Sequence, residues 1–189
     1  MAALSTIALE NGRTALVSAF SNSKFTYDNF NINFGLNYIH FLLNGNGNIE
    51  PRVGAAYQLN NDGDELSLAY GLHSRLEPIN IYFVRNSKNE LVNQNLDLTK
   101  SHHIVLAFKL RLSENISFKI EPYYQHLFDI PVIKDSSYAL INLQNNWFTN
   151  NDFVNNGIGR NFGLDITLEK YIDNGFYYLI TASIFDSKY

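Results

Sequence analysis

Residues 157–185 carry two long alternating runs about one glycine turn, and no other feature limits the fold of this chain so sharply. In the first run Phe162, Leu164, Ile166 and Leu168 alternate with Asn161, Gly163, Asp165, Thr167 and Glu169; in the second, Phe176, Tyr178, Ile180, Ala182 and Ile184 share one side. A period of two belongs to a β-strand with one apolar and one polar face. Parity then selects the turn. A three-residue loop, Asp173-Asn174-Gly175 with Gly175 left-handed, sets Leu168 opposite Ile180, Ile166 opposite Ala182 and Leu164 opposite Ile184. A two-residue Asn-Gly turn would set Leu168 against Thr181 and mix the faces. The stretch therefore predicts a long β-hairpin.

The same pattern recurs along the chain. Residues 14–20 predict a strand that ends in a polar turn at Ser21-Asn22-Ser23-Lys24, after which Phe30, Ile32, Phe34, Leu36 and Tyr38 alternate with Asn29, Asn31, Asn33, Gly35 and Asn37. Beyond an Asn/Gly loop at 44–48, Val53, Ala55, Tyr57 and Leu59 oppose Glu50, Arg52 and Gln58. A two-residue Asp62-Gly63 turn then predicts the pairs Leu59–Leu66, Tyr57–Leu68, Ala55–Tyr70 and Val53–Leu72, with Arg52 meeting His73 and Glu50 meeting Arg75. Alternation lapses over residues 76–101, which contain Pro78, and returns with Ile104, Leu106, Phe108, Leu110 and Leu112. Ser113-Glu114-Asn115 reverses the chain into Ile116, Phe118, Ile120, Pro122 and Tyr124, placing Leu110 opposite Phe118 and Lys109 opposite Lys119. From about Asp129 to Gly159 the sequence is irregular, Asn-rich, and carries the single tryptophan, Trp147.

Composition narrows the function classes. A net charge of −4 over 189 residues, with no basic run, does not point to a nucleic-acid partner, and the absence of cysteine removes disulfides, thiolate metal sites and cysteine nucleophiles. The first ten residues lack the basic start and long apolar run of a signal peptide. No window reaches the roughly 18 apolar residues of a membrane helix, which leaves a membrane barrel open.

Short turns at 21–28, 62–63, 113–115 and 173–175 alternate with long connections at 76–101 and 130–159 and an intermediate one at 43–48. Strands of about ten residues, one trimmed rim, one elaborated rim and aromatics at the strand ends are features of transmembrane barrels. Tyr27, Phe118, Tyr171 and Phe176 fall toward the short-turn rim, and Tyr82, Phe83 and Phe128 toward the other. A soluble sandwich or lipocalin-like barrel also alternates, with its apolar face buried instead of facing lipid, so periodicity alone leaves both open.

No chemistry stands out. His102 and His103 are adjacent, so on a strand they point to opposite sides and cannot share one metal. Residues 61–65, Asn-Asp-Gly-Asp-Glu, lack the spaced acceptors and distal glutamate of a calcium loop, and the Gly/Asn loop at 44–48 precedes no helix that would make a phosphate cradle. No nucleophile elbow is present. The reading is of a non-enzymatic chain without a cofactor or metal.

Residues 156–170 (Asn-Gly-Ile-Gly-Arg-Asn-Phe-Gly-Leu-Asp-Ile-Thr-Leu-Glu-Lys) with 181–189 (Thr-Ala-Ser-Ile-Phe-Asp-Ser-Lys-Tyr) resemble late barrel strands of TonB-dependent outer-membrane receptors of the subgroup with a carboxypeptidase-like regulatory domain. Glu50-Pro51-Arg52-Val53-Gly54, Ala69-Tyr70-Gly71-Leu72-His73-Ser74 and Ser101-His102-His103 extend the likeness, from about residue 20 onward. The resemblance implies an all-β fold: an antiparallel up-and-down meander of about eight long strands, residues 1–189 forming part of a larger, roughly 22-stranded plugged barrel. Plug, TonB-contacting segment and signal peptide are not in this sequence, and residues 181–189 make only a weak aromatic-terminated closing strand, so an internal barrel fragment is expected.

On this reading the chain lies in the outer membrane of a Gram-negative bacterium, against outer-membrane lipid, and takes part in uptake of a small scarce nutrient, with the TonB complex engaged only through the missing plug. Glu50, Arg52, His73, Arg75, Lys109, Lys119, Glu121, Asp165 and Glu169 are the expected lumen-facing side chains, and Trp147 the expected loop contact to ligand. Lys109, Lys119, Glu121 and Glu169 are expected to cluster, because like charges set opposite each other need a nearby acid. The alternatives are a small soluble eight-stranded ligand-binding barrel and a complete eight-stranded structural barrel in the outer membrane.

Overall fold

A computed structural model describes residues 12–60, 63–142, 151–173 and 175–189. Eight strands form one antiparallel sheet in sequence order: β1 (Leu16–Tyr27), β2 (Phe30–Phe41), β3 (Gly47–Gln58), β4 (Glu65–Arg75), β5 (Thr99–Ser113), β6 (Ile116–Ile133), β7 (Phe153–Asp173) and β8 (Phe176–Lys188). Each strand pairs with its sequence neighbours, and β1 and β8 are the two open edges of the sheet. One short helix, α1 (Ile79–Tyr82), lies between β4 and β5. Among the described residues no helix is long and apolar enough to cross a membrane, which says nothing of strands.

The β7–β8 hairpin has the register that parity selects: Leu168 opposite Ile180, Ile166 opposite Ala182 and Leu164 opposite Ile184, with Gly175 at φ 78°. Lys109 lies opposite Lys119 and Leu110 opposite Phe118, as the 113–115 reversal requires, and β6 is bordered by β7. Because strand partners share a face, the register carries one apolar face across all eight strands.

Three expectations are corrected. The polar run 21–24 is no turn: it lies inside β1, and the chain reverses at Asp28-Asn29, with Tyr27 opposite Phe30 and Asp28 at φ 50°. Asn22 and Lys24 share the polar face with Asn33 and Asn31 of β2, so their polarity reports a face and not a break. Between β3 and β4 the register slips by two. Tyr57 faces Leu66, Ala55 faces Leu68, Val53 faces Tyr70 and Arg52 faces Gly71, because Leu59 N–H still bonds Asp64 O (2.9 Å) and the loop is wider than two residues. A slip of two preserves the faces but separates the expected pairs Arg52–His73 and Glu50–Arg75. The irregular stretch after Asp129 is strand at both its ends: β6 continues to Ile133 and β7 begins at Phe153, across register shifts near Ile130 with Asp129 at φ 54°. The bulge resets the alternation, which hides the strand from a period-two reading.

Among the described residues, the packed core lies at the long-loop rim. Phe41, Ile81, Tyr82, Leu96 and Phe153 form one buried cluster, with Leu43, Leu76, Ile133 and Leu140 against it, and Ile130, Val132 and Ala139 form a second. The apolar face has none: Phe34, Leu36, Leu68, Leu106, Phe162 and Ile180 are all exposed, at 52, 52, 53, 43, 50 and 58%.

Candidate functional site

The opposite, polar face is built by the same register. Glu50 and Arg52 of β3, His73 and Arg75 of β4, Lys109 of β5, Lys119 and Glu121 of β6, and Asp165 and Glu169 of β7 all alternate onto this one face. Trp147 lies outside the described residues.

Glu50 is the most deeply held of them. Its residue is only 2% exposed, and its carboxylate accepts from the Asn37 amide (2.8 Å), the Arg52 guanidinium (3.1 Å) and the backbone N–H of Ser74 (2.7 Å). The β3–β4 register stops at Arg52–Gly71, so the Ser74 N–H has no ladder carbonyl on β3 and donates to the Glu50 side chain instead. Arg75 instead pairs with Glu77 (3.5 Å), itself 3% exposed and bonded to the Thr99 hydroxyl at 2.5 Å.

Farther toward the short turns, Glu65, Lys109, Lys119 and Thr167 follow one another across β4 to β7 in one row. Lys119 pairs with Glu121 at 2.8 Å, while Glu169 stands opposite Ser117, and Glu65 is the acid directly facing Lys109. Glu121 in turn faces Asp165.

His102 and His103 diverge. His103 lies on the polar face, with its ring 6.1 Å from those of His73 and Tyr123, and His102 lies on the other, with its Nδ1 2.9 Å from the Tyr70 hydroxyl. Among the described residues no group of three His, Asp or Glu side chains is arranged to hold a metal.

Small residues hollow this face. Gly35, Gly54, Ala69 and Gly71 floor a depression of about 260 Å³ walled by Arg52, His73 and His103, and a second of about 320 Å³ is lined by His103, Glu121, Tyr123, Gln125 and Asp165. Tyr123 lies across its strand partner Gly163, filling the space that a missing side chain leaves.

At the rim, asparagines tie the long connections together, and sequence reasoning missed them. The Asn44 amide donates to the carbonyls of Gln94 and Leu96 (3.1 and 2.9 Å), and that of Asn46 to Leu96 O (3.1 Å). Asn93, 1% exposed, accepts from Phe153 N–H (2.9 Å) and donates to Asn151 O (3.0 Å); Asn155 joins Asp97 to Asp129 O. Asn-rich loops were the one available signal. Beneath these clamps the Tyr82 hydroxyl is pushed up to about 12 by burial, so it stays neutral at physiological pH.

No protein-family model and no curated protein matches the chain. Solved structures do. The outer membrane transporter YddB from Escherichia coli superposes with a TM-score of 0.68 at 15% identity, over 92% of this chain and 24% of that one. The FrpB iron transporter from Neisseria meningitidis (F3-3 variant) gives 0.67 at 13%, over 93% and 27%, and the structure of the FpvAI-pyocin S2 complex gives 0.61 at 17%, over 92% and 23%. The chain thus spans about a quarter of the length of the structures it matches. At these identities the likeness is one of fold: the chain builds eight consecutive strands of the barrel architecture found in outer-membrane transporters, the architecture that the resemblance to TonB-dependent receptors implies.

Proposed function

We propose that this chain is a wall segment of an outer-membrane nutrient transporter of the TonB-dependent kind, in a Gram-negative bacterium. Its apolar face meets lipid, and its polar face, with the nine charged and histidine side chains named above, lines the lumen. The long connections, 76–98 and 134–152, stand outside and capture a small scarce nutrient, with Trp147 as a contact. Release inward is by a plug that the TonB complex moves. The role is transport, not catalysis.

One observation carries the reading: among the described residues eight strands expose a continuous apolar face with no buried core on it, while on the polar face Glu50 is paired with Arg52 and Lys119 with Glu121. A sheet in water reverses this, burying apolar side chains and leaving charge outside. Fractionation of cells expressing the intact protein that contains this chain tests the proposal. Recovery in outer membranes, resistant to carbonate extraction, is expected; a soluble periplasmic or cytosolic product overturns it.

A further inference from the structure

The apolar face is not apolar to its end. In register across four strands near the long-loop rim stand His102 of β5, His126 of β6, Arg160 of β7 and Lys188 of β8. All four sit on the apolar side, one row beyond Ile104, Tyr124 and Phe162, with Asp186 completing that row on β8. With neighbouring strands about 4.8 Å apart, the row is roughly 14 Å wide.

Among the described residues the two cations of this row are at most partly neutralised. Arg160 is exposed and, among the described residues, forms no ion pair; Lys188, directly opposite it, has only Asp186 at 3.5 Å and keeps 61% of its side chain exposed. Like charges facing each other across strands destabilise the pair unless an anion lies between them. Lys100 is different, since Asp97 and Asp129 each hold it at 2.9 Å. The His102 and His126 rings stack at 6.4 Å, and Tyr70 engages His102 Nδ1, leaving Nε2 as the free ring nitrogen.

Resting on the reading that this face meets lipid, we propose that His102, His126, Arg160 and Lys188 form a docking site for the phosphate-bearing headgroup of a membrane lipid. A guanidinium offers paired N–H donors to phosphate oxygens, and Lys188 adds a second positive charge. The acyl chains would lie along the exposed row Ile104, Tyr124 and Phe162. A soluble anion has no use for that row; a phosphorylated amphiphile matches both parts.

The test uses the intact protein that contains this chain, in phosphatidylcholine bilayers at constant ionic strength, with trace spin-labelled phosphatidic acid or spin-labelled phosphatidylcholine. Electron spin resonance reads the motionally restricted fraction of each. Wild type should prefer phosphatidic acid about fivefold or more, and Arg160→Gln with Lys188→Gln should bring the ratio close to one, while Lys24→Gln on the polar face leaves it unchanged. No preference in wild type, a preference retained by the double variant, or its loss on adding inorganic phosphate would overturn the proposal. Restricted phosphatidylcholine in those cases would still uphold a lipid-facing sheet; none at all would remove both.

Discussion

Arg160 and Lys170 lie on the same face of β7, ten residues apart, and every side chain between them on that face is apolar: Phe162, Leu164, Ile166 and Leu168. At about 3.4 Å per residue the two charges are roughly 34 Å apart along the strand. On a strand tilted by about 45°, that is about 24 Å along a membrane normal, close to the 25 Å or so of an outer-membrane apolar band. Lys170 sits near the Phe176 ring (5.7 Å) at one end, and Arg160 faces His126 at the other.

A band of that height makes substitutions on the two faces unequal. Arginine at Leu68, Leu106 or Ile166 is expected to cost about 2–4 kcal/mol, and arginine at Ser67 or Thr167 clearly less, in denaturant titrations of the intact protein in lipid. Equal costs on both sets would show that the faces do not meet different media.

Replacing Glu50 with Ala would leave the half-buried Ser74 N–H and Asn37 amide without their acceptor. A loss of about 1–3 kcal/mol is expected by the same titration. A neutral result would mean that water replaces the carboxylate.

A Cβ at Gly163 would stand 2.6 Å from the Tyr123 hydroxyl and 2.8 Å from the Ile184 carbonyl oxygen. Gly163→Ala should destabilise by about 1–3 kcal/mol. Adding Tyr123→Ala should not restore the loss, because the second obstacle is backbone; full recovery would place all the strain in the tyrosine.

These residues also show what a sequence makes legible. Parity found the faces and the β7–β8 register because one misstep there sets Leu168 against Thr181. It could not fix β3–β4, where a slip of two leaves Tyr57 and Leu66 on the same apolar face. Ser21 to Lys24 have the composition of a turn, and only their pairing with β2 shows them as strand. The Asn44, Asn93 and Asn155 clamps were out of reach, since each joins segments at least 26 residues apart.

The two rims should differ in access from outside. In intact cells a membrane-impermeant maleimide should label Ser87→Cys, on the exposed part of the 76–98 connection, and spare Glu114→Cys at the β5–β6 turn. The reverse pattern would invert the orientation.

The central claim is that alternate residues of one strand meet lipid and lumen. Nitroxide labels placed singly from Ile104 to Leu110 of β5, in the intact protein in bilayers, measure this by collision with oxygen and with a water-soluble nickel complex. Oxygen access should peak at Ile104, Leu106, Phe108 and Leu110, and nickel access at Val105, Ala107 and Lys109. A profile without period two, or with the phases exchanged, would contradict it.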